Sequence, residues 1–325
     1  MMKTRLLGRT GFQISEVVFG GGFVGGILLH ASDEIRRDAL QMALKAGINW
    51  IDTAASYGNG QSEEVVGWLL NELPDSERPQ VSTKFSVDPQ GGNYRAQIQR
   101  SVDQSLRRLQ MTTVPLLQLH NQIGTGDHQL PLNEVMRVGG VLDALDQIRS
   151  EGLADFIGFT ALGDASACRA VVHSGRIDTA QVYYNLINPS AGYDIEEAWH
   201  TENYRGLLKA CDQFDVGVLG IRVYAAGILA SRVQHGREIP VTPNTDYDSE
   251  LHRADRIRKI LAGVDGSDAQ KALRFVLDQS QVHGAVIGLA ELSHLQEAIG
   301  ATQLDSLSSL VVDQLKNLWD CDYKM

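Results

Sequence analysis

The stretch Asn49-Trp50-Ile51-Asp52-Thr53-Ala54-Ala55-Ser56-Tyr57-Gly58 decides the reading of this chain, because an apolar strand ends on a carboxylate and a phenol follows at once in a glycine turn. Two later strands end on functional groups in the same manner. Val81-Ser82-Thr83-Lys84 ends on an ammonium and Leu116-Leu117-Gln118-Leu119-His120 on an imidazole. An acid, a phenol, an amine and a histidine are together the residue types that tune one tyrosine for proton transfer.

Helical stretches separate these strand ends. Residues 33–46, 62–71 and 93–109 carry apolar side chains every three or four positions. Strand candidates fall at 17–19, 49–52, 80–84, 115–120, 156–159, 179–183, 216–222 and 285–287, and later helix candidates at 135–150, 165–174, 203–213, 269–279, 292–299 and 306–319. Strand and helix alternating along nearly the whole chain predict an α/β fold, a (β/α)8 TIM barrel. Residues 5–14, with Gly8-Arg9-Thr10-Gly11 at their centre, predict a short β-hairpin that closes the barrel's floor. Three long connections, 121–133, 185–202 and 225–265, follow strands and should rise from the catalytic face, where Asp52, Tyr57, Lys84 and His120 would meet. The last of them has room for a helix over 248–261.

Composition sets bounds on partners. A length of 325 residues with 43% hydrophobic content suits a single barrel domain spanning 1–325. A net charge of -11 argues against a nucleic-acid or anionic-membrane surface, and leaves a small molecule as the expected partner. The N-terminal residues lack a secretory signal pattern, and no apolar run is long enough to span a bilayer, so the expectation is a cytoplasmic protein. Cys168, Cys211 and Cys321 form neither a disulfide framework nor a metal-ligand spacing, and the first two read as buried thiols.

The segments Ile51-Asp52-Thr53-Ala54-Ala55-Ser56-Tyr57-Gly58, Ser82-Thr83-Lys84, Leu119-His120, Ile157-Gly158-Phe159-Thr160 and Gln181-Val182-Tyr183-Tyr184-Asn185 together resemble the motifs of the aldo-keto reductase family, in that family's order. The overall look is nearer its aldose 1-dehydrogenase branch. The resemblance implies Tyr57 as general acid and base, Lys84 as the charge that stabilises its tyrosinate, Asp52 as the group fixing Lys84, and His120 as a donor to the substrate oxygen. A free tyrosine titrates at about 10, which is why such help is needed near neutrality. It further implies NAD or NADP across the barrel mouth, with Thr160 and Gln181 near the nicotinamide carboxamide, Glu297 on the adenine side, and an aldehyde, ketone or sugar hemiacetal as substrate.

The chain also departs from the family pattern. Ala161 stands where relatives carry a carboxamide-binding Asn, Ile221 where they stack an aromatic ring, Arg222-Val223-Tyr224 in place of Ser-Pro-Leu, and Ala298 in place of Asn. Arg222 is open to two readings, a pyrophosphate contact or an ordinary salt-bridge arginine. The segment 288–298, from Gly288 onward, should select the 2'-phosphate, yet it offers only His294 with Glu291 nearby. A dianionic phosphate wants fixed positive charge, so NAD is favoured unless Arg232, Arg237, Arg253 or Arg256 folds over the adenosine. Gly20-Gly21-Gly22 and Gly25-Gly26 read either as ligand room or as a plain flexible loop, and Phe23, Phe85, Trp199 and Tyr224 either as pocket walls or as simple packing. Two rival functions stand beside the oxidoreductase: a nucleotide-binding regulatory barrel, and a lyase using Lys84 as an amine nucleophile. The second is disfavoured because a nucleophilic amine must be neutral.

Overall fold

The structure is a computed structural model that describes residues 2–195, 199–231 and 245–324. An antiparallel hairpin of β1 (Thr4–Leu6) and β2 (Gln13–Ser15) precedes eight strands: β3 (Val17–Gly20), β4 (Trp50–Asp52), β5 (Gln80–Phe85), β6 (Val114–Leu119), β7 (Ala154–Ala161), β8 (Thr179–Tyr183), β9 (Gly217–Ile221) and β10 (Gly284–Gly288). These eight close into a parallel barrel in the order β10-β3-β4-β5-β6-β7-β8-β9. Around and above it lie α1 (Ile27–His30), α2 (Asp33–Ala46), α3 (Gln61–Asn71), α4 (Tyr94–Leu109), α5 (Leu132–Met136), α6 (Val141–Ser150), α7 (Ala165–His173), α8 (Leu207–Gln213), α9 (Tyr247–Ile260), α10 (Asp268–Asp278), α11 (Leu292–Ala301) and α12 (Ser309–Asp320). The fold is the (β/α)8 barrel with N-terminal hairpin that the alternation predicts. Among the described residues, no helix is long and apolar enough to cross a membrane.

Side chains alternate across each strand, so one parity fills the barrel and the other packs on the helices. The lowest inner layer is apolar. Val18, Trp50, Leu116 and Leu219 cluster with Leu7 and Ile14 of the hairpin region, and Phe12, Phe156 and Val286 pack against them. The Phe12 ring meets Trp50 edge-on at 5.3 Å and Phe156 at 5.4 Å. The hairpin therefore plugs the floor, and the next residues of the same parity, among them Asp52, Ser82, Gln118 and Gln181, form a buried polar layer above it.

Several boundaries differ from the sequence expectation, each for a local reason. The helix expected over 135–150 is two helices, because Gly139 takes a positive φ of 69° and a Cβ on Gly140 would lie 2.5 Å from the Glu134 carbonyl oxygen. The helix expected from 203 begins after Gly206, whose φ is 76°, and the one expected from 306 begins after the Ser308 cap, whose side chain accepts from Val311 N. The helix in the third long connection is present as α9. The glycine-rich segment after β3 is not a plain loop. It carries α1, and Gly25 packs so tightly on the end of β10 that a Cβ there would lie 2.3 Å from Leu289 N.

The C-terminal tail holds the connection after β8. Trp319 Nε1 donates to the Leu186 carbonyl at 3.0 Å, Tyr323 OH to that of Ile187 at 2.9 Å, and His200 Nδ1 meets Asp322 Oδ1 at 2.7 Å. Burial, then the charge of Arg253, pushes His200 down to about 4 despite Asp322.

Candidate active site

The barrel's carboxyl end brings Asp52, Tyr57, Lys84 and His120 to one place. Asp52 ends β4, and register pairs it with Ser82 of β5, one inward position before Lys84. Lys84 Nζ donates to Asp52 Oδ2 at 2.5 Å, to the Thr53 carbonyl at 2.8 Å and to Tyr57 OH at 3.2 Å. Asp52 and Lys84 are both fully buried. Burial works against charge on Lys84, but the Asp52 carboxylate and then the Tyr57 oxygen outweigh it and hold the ammonium above the ordinary lysine range. A lysine held charged in this way is a source of positive field rather than a nucleophile.

Tyr57 opens a turn in which Gly58, Asn59 and Gly60 have φ of 59°, 53° and 96°. The positive φ of Gly58 favours glycine in the turn that aims the phenol, where a Cβ would fall 2.7 Å from Leu29 Cδ2. Gly22 lies against the same ring, its hypothetical Cβ 3.9 Å from the hydroxyl. His120 follows β6; its ring meets that of Tyr57 edge-on at 5.7 Å, and its Nδ1 lies 3.3 Å from Ser56 Oγ. Burial first, then the charges of Lys84 and Arg222, lower His120 to about 3, so the imidazole is neutral.

The cofactor candidates scatter more widely. Thr160, at the end of β7, is buried and its Oγ1 has no hydrogen-bond partner among the described residues. Gln181 pairs with Thr160 in the ladder, and its Nε2 donates to Asp52 Oδ1 at 2.7 Å. Arg222 has a positive φ of 58°, its carbonyl accepts from Asn185 Nδ2 at 2.7 Å, and its guanidinium lies 5.0 Å from the Tyr183 ring centroid. It thus leans toward β8 and His120. Gly288 is exposed at the end of β10, and Ala290 N donates to His294 Nδ1 at 3.3 Å, which directs that imidazole into its own turn. Glu297 lies close enough to Tyr224 to help burial raise that phenol.

Two of the four arginines considered for the adenosine are engaged elsewhere. Arg253 bonds Glu250 and Thr245, both at 3.0 Å, and Arg256 bonds the Tyr323 carbonyl at 2.8 Å; Arg232 and Arg237 lie outside the described residues. Among the proposed pocket walls, Phe85 has outward parity and is buried in the main core, while Trp199 packs on His200 at 4.4 Å and on Tyr323 at 5.8 Å. Phe23 remains 48% exposed beside His30. Sequence reasoning missed Ser82 and Gln118, which donate to Asp52 Oδ1 at 2.7 and 3.3 Å. Their polar side chains on the inward parity of β5 and β6 were the readable sign.

A closed parallel barrel carries at its carboxyl end a buried carboxylate and ammonium, with a half-buried phenol in contact with the ammonium. The sequence model of the Aldo/keto reductase family matches residues 16–320, and the chain belongs to that family. It is 31% identical to aldo-keto reductase YhdN of Bacillus subtilis (strain 168) over 314 residues, 90% of this chain and 87% of that protein. It is 27% identical to L-galactose dehydrogenase of Arabidopsis thaliana over 315 residues, covering 94% and 90%. In fold it is similar to an aldo-keto reductase from Klebsiella pneumoniae solved in complex with NADPH, with a TM-score of 0.71 and 23% identity, covering 98% and 96%.

Proposed function

We propose that the protein is an NAD(P)-dependent oxidoreductase that moves a hydride between nicotinamide and a small carbonyl or alcohol substrate, with Tyr57 handling the proton. The observation that carries this reading is the buried Lys84 ammonium, 2.5 Å from Asp52 Oδ2 and 3.2 Å from Tyr57 OH. In reduction, Tyr57 OH gives its proton to the substrate oxygen as negative charge develops there, and Lys84 stabilises the phenolate left behind. Asp52 keeps Lys84 charged and in place. Neutral His120, whose Nδ1 lies 3.3 Å from Ser56 Oγ, donates a hydrogen bond to the same oxygen in the tautomer that carries its proton on Nε2. In oxidation the phenolate takes the hydroxyl proton back.

The dinucleotide supplies the hydride acceptor or donor when bound. The residues present fit such a group, because the partnerless Thr160 Oγ1 beside Gln181 offers a buried polar contact for a carboxamide. Gly288 leaves the end of β10 open, with only Gly25 backbone atoms 3.5 and 3.6 Å from where its Cβ would be. The absence of Lys and Arg from 288–298 supports NAD over NADP. Sugar hemiacetals join aldehydes and ketones as substrate candidates, given the likeness to a sugar dehydrogenase.

Initial rates with each dinucleotide against a panel of aldoses, aldehydes and ketones, for wild type and Tyr57→Phe, test the proposal. The variant should lose roughly a hundredfold to ten-thousandfold in kcat and keep its dinucleotide affinity. Near-wild-type turnover in Tyr57→Phe would overturn the reading. Dinucleotide binding without turnover on any substrate would favour the regulatory barrel.

A further inference from the structure

Asp52 has more donors than an ion pair with Lys84 requires. Oδ2 takes the ammonium, while Oδ1 takes Ser82 Oγ at 2.7 Å, Gln181 Nε2 at 2.7 Å and Gln118 Nε2 at 3.3 Å. Ser82 is fixed in turn, since Trp50 Nε1 donates to its Oγ at 3.0 Å. These donors come from β5, β8 and β6, so they approach the carboxylate from three sides of the barrel.

Gln118 stands apart among them. It is fully buried, and its Oε1 has no hydrogen-bond partner among the described residues. Its Cγ fills the space beside Gly158, where an added Cβ would lie 3.3 Å away. A half-satisfied amide inside a barrel costs stability that an apolar side chain of similar size would not. Leu116, two residues earlier on the same face of β6, is that apolar solution in the layer below. The side-chain hydrogen bond that Gln118 does make goes to Asp52.

We propose that Gln118 is a positioning residue of the acid–base site: by donating to Asp52 Oδ1 it fixes the carboxylate so that Oδ2 stays on the Lys84 ammonium facing Tyr57. The inference rests on the function proposed above. The amide touches Asp52 on β4, and through it the charged and titratable groups of the cluster are Lys84 on β5, then Tyr57 and His120 at the mouth.

Gln118→Leu and Gln118→Glu, measured beside Tyr57→Phe, test it. Gln118→Leu should melt no lower than wild type, bind the dinucleotide equally well, and lose roughly tenfold to a hundredfold in kcat, the range of a hydrogen bond to a charged group. Gln118→Glu should regain activity as pH falls, since a neutral carboxyl can donate to Oδ1 and an ionised one repels it. That acid-side rise should be missing from wild type and from Gln118→Leu. Wild-type kcat in Gln118→Leu overturns the positioning role, and so does a Gln118→Glu profile that superimposes on wild type. If Gln118→Leu fails to fold, the Gln118→Glu profile decides alone. A Tyr57→Phe variant that keeps its kcat marks failure of the underlying function instead.

Discussion

Lys84 Nζ donates to Tyr57 OH across 3.2 Å from a position with no access to solvent, so the phenol faces a charge that water does not screen. The field of an ammonium is far stronger in such surroundings than in water. Asp52 makes that charge tolerable.

Removing the ammonium alone should therefore harm the fold as well as the chemistry. Lys84→Met leaves the Asp52 carboxylate buried without its counter-ion, and should cost about 3–5 kcal/mol of stability. Lys84→Met/Asp52→Asn should recover most of that while remaining inactive. Denaturant unfolding of both checks this, and equal stability of the single and double variants would show that Asp52 does not depend on the lysine.

Thr160→Val should split binding from stability. The hydroxyl has no partner among the described residues, so its loss should leave the melting temperature unchanged or raised. If it meets the carboxamide, dinucleotide affinity should fall by about 0.5–1.5 kcal/mol, a few-fold to roughly tenfold. Fluorescence titration of the free variant reads it, and unchanged affinity moves the nicotinamide end of the site elsewhere.

At the other end, His294→Arg should raise NADP affinity relative to NAD. A charge-assisted bond of about 1.5–3 kcal/mol corresponds to roughly tenfold or more. Titration of both dinucleotides on both proteins is the measurement. Tighter NADP binding by wild type would contradict the NAD preference, and an unchanged ratio in the variant would misplace the adenosine.

Acid sensitivity should come partly from histidine. His120 and His200 are held neutral down to about 3 and about 4, whereas an unfolded histidine takes up its proton near about 6.5. The unfolded chain then binds more protons, so stability is full above about pH 6.5 and declines as pH falls through that value toward the folded ones. Denaturant midpoints between pH 7.5 and 5 should drop, and His200→Gln should flatten the slope. A flat wild-type profile over this interval would refute it.

The parts of the fold legible in the sequence were those fixed by local chemistry. Asp33–Ala46 begins after the Ser32 cap and ends at Gly47 with φ of 91°, both visible in a short window. Strand parity alone carries Asp52 and Lys84 inward. The bond from Gln181 to Asp52 was not legible in the same way, because it crosses the barrel from β8 to β4 and only packing decides it. The destinations of Arg253 and Arg256 depend on how α9 sits against the C-terminal tail, which no periodicity encodes.

The plugged floor has a last consequence, for traffic. Below Asp52 the chain of hydrogen bonds runs through Ser82 to the Trp50 indole and stops among Leu7, Ile14, Val18, Leu116 and Leu219. The relay is a cul-de-sac. On the proposed function, the protons of Tyr57 are then exchanged at the mouth, and a substrate bound there would isolate the phenol from bulk water until product leaves.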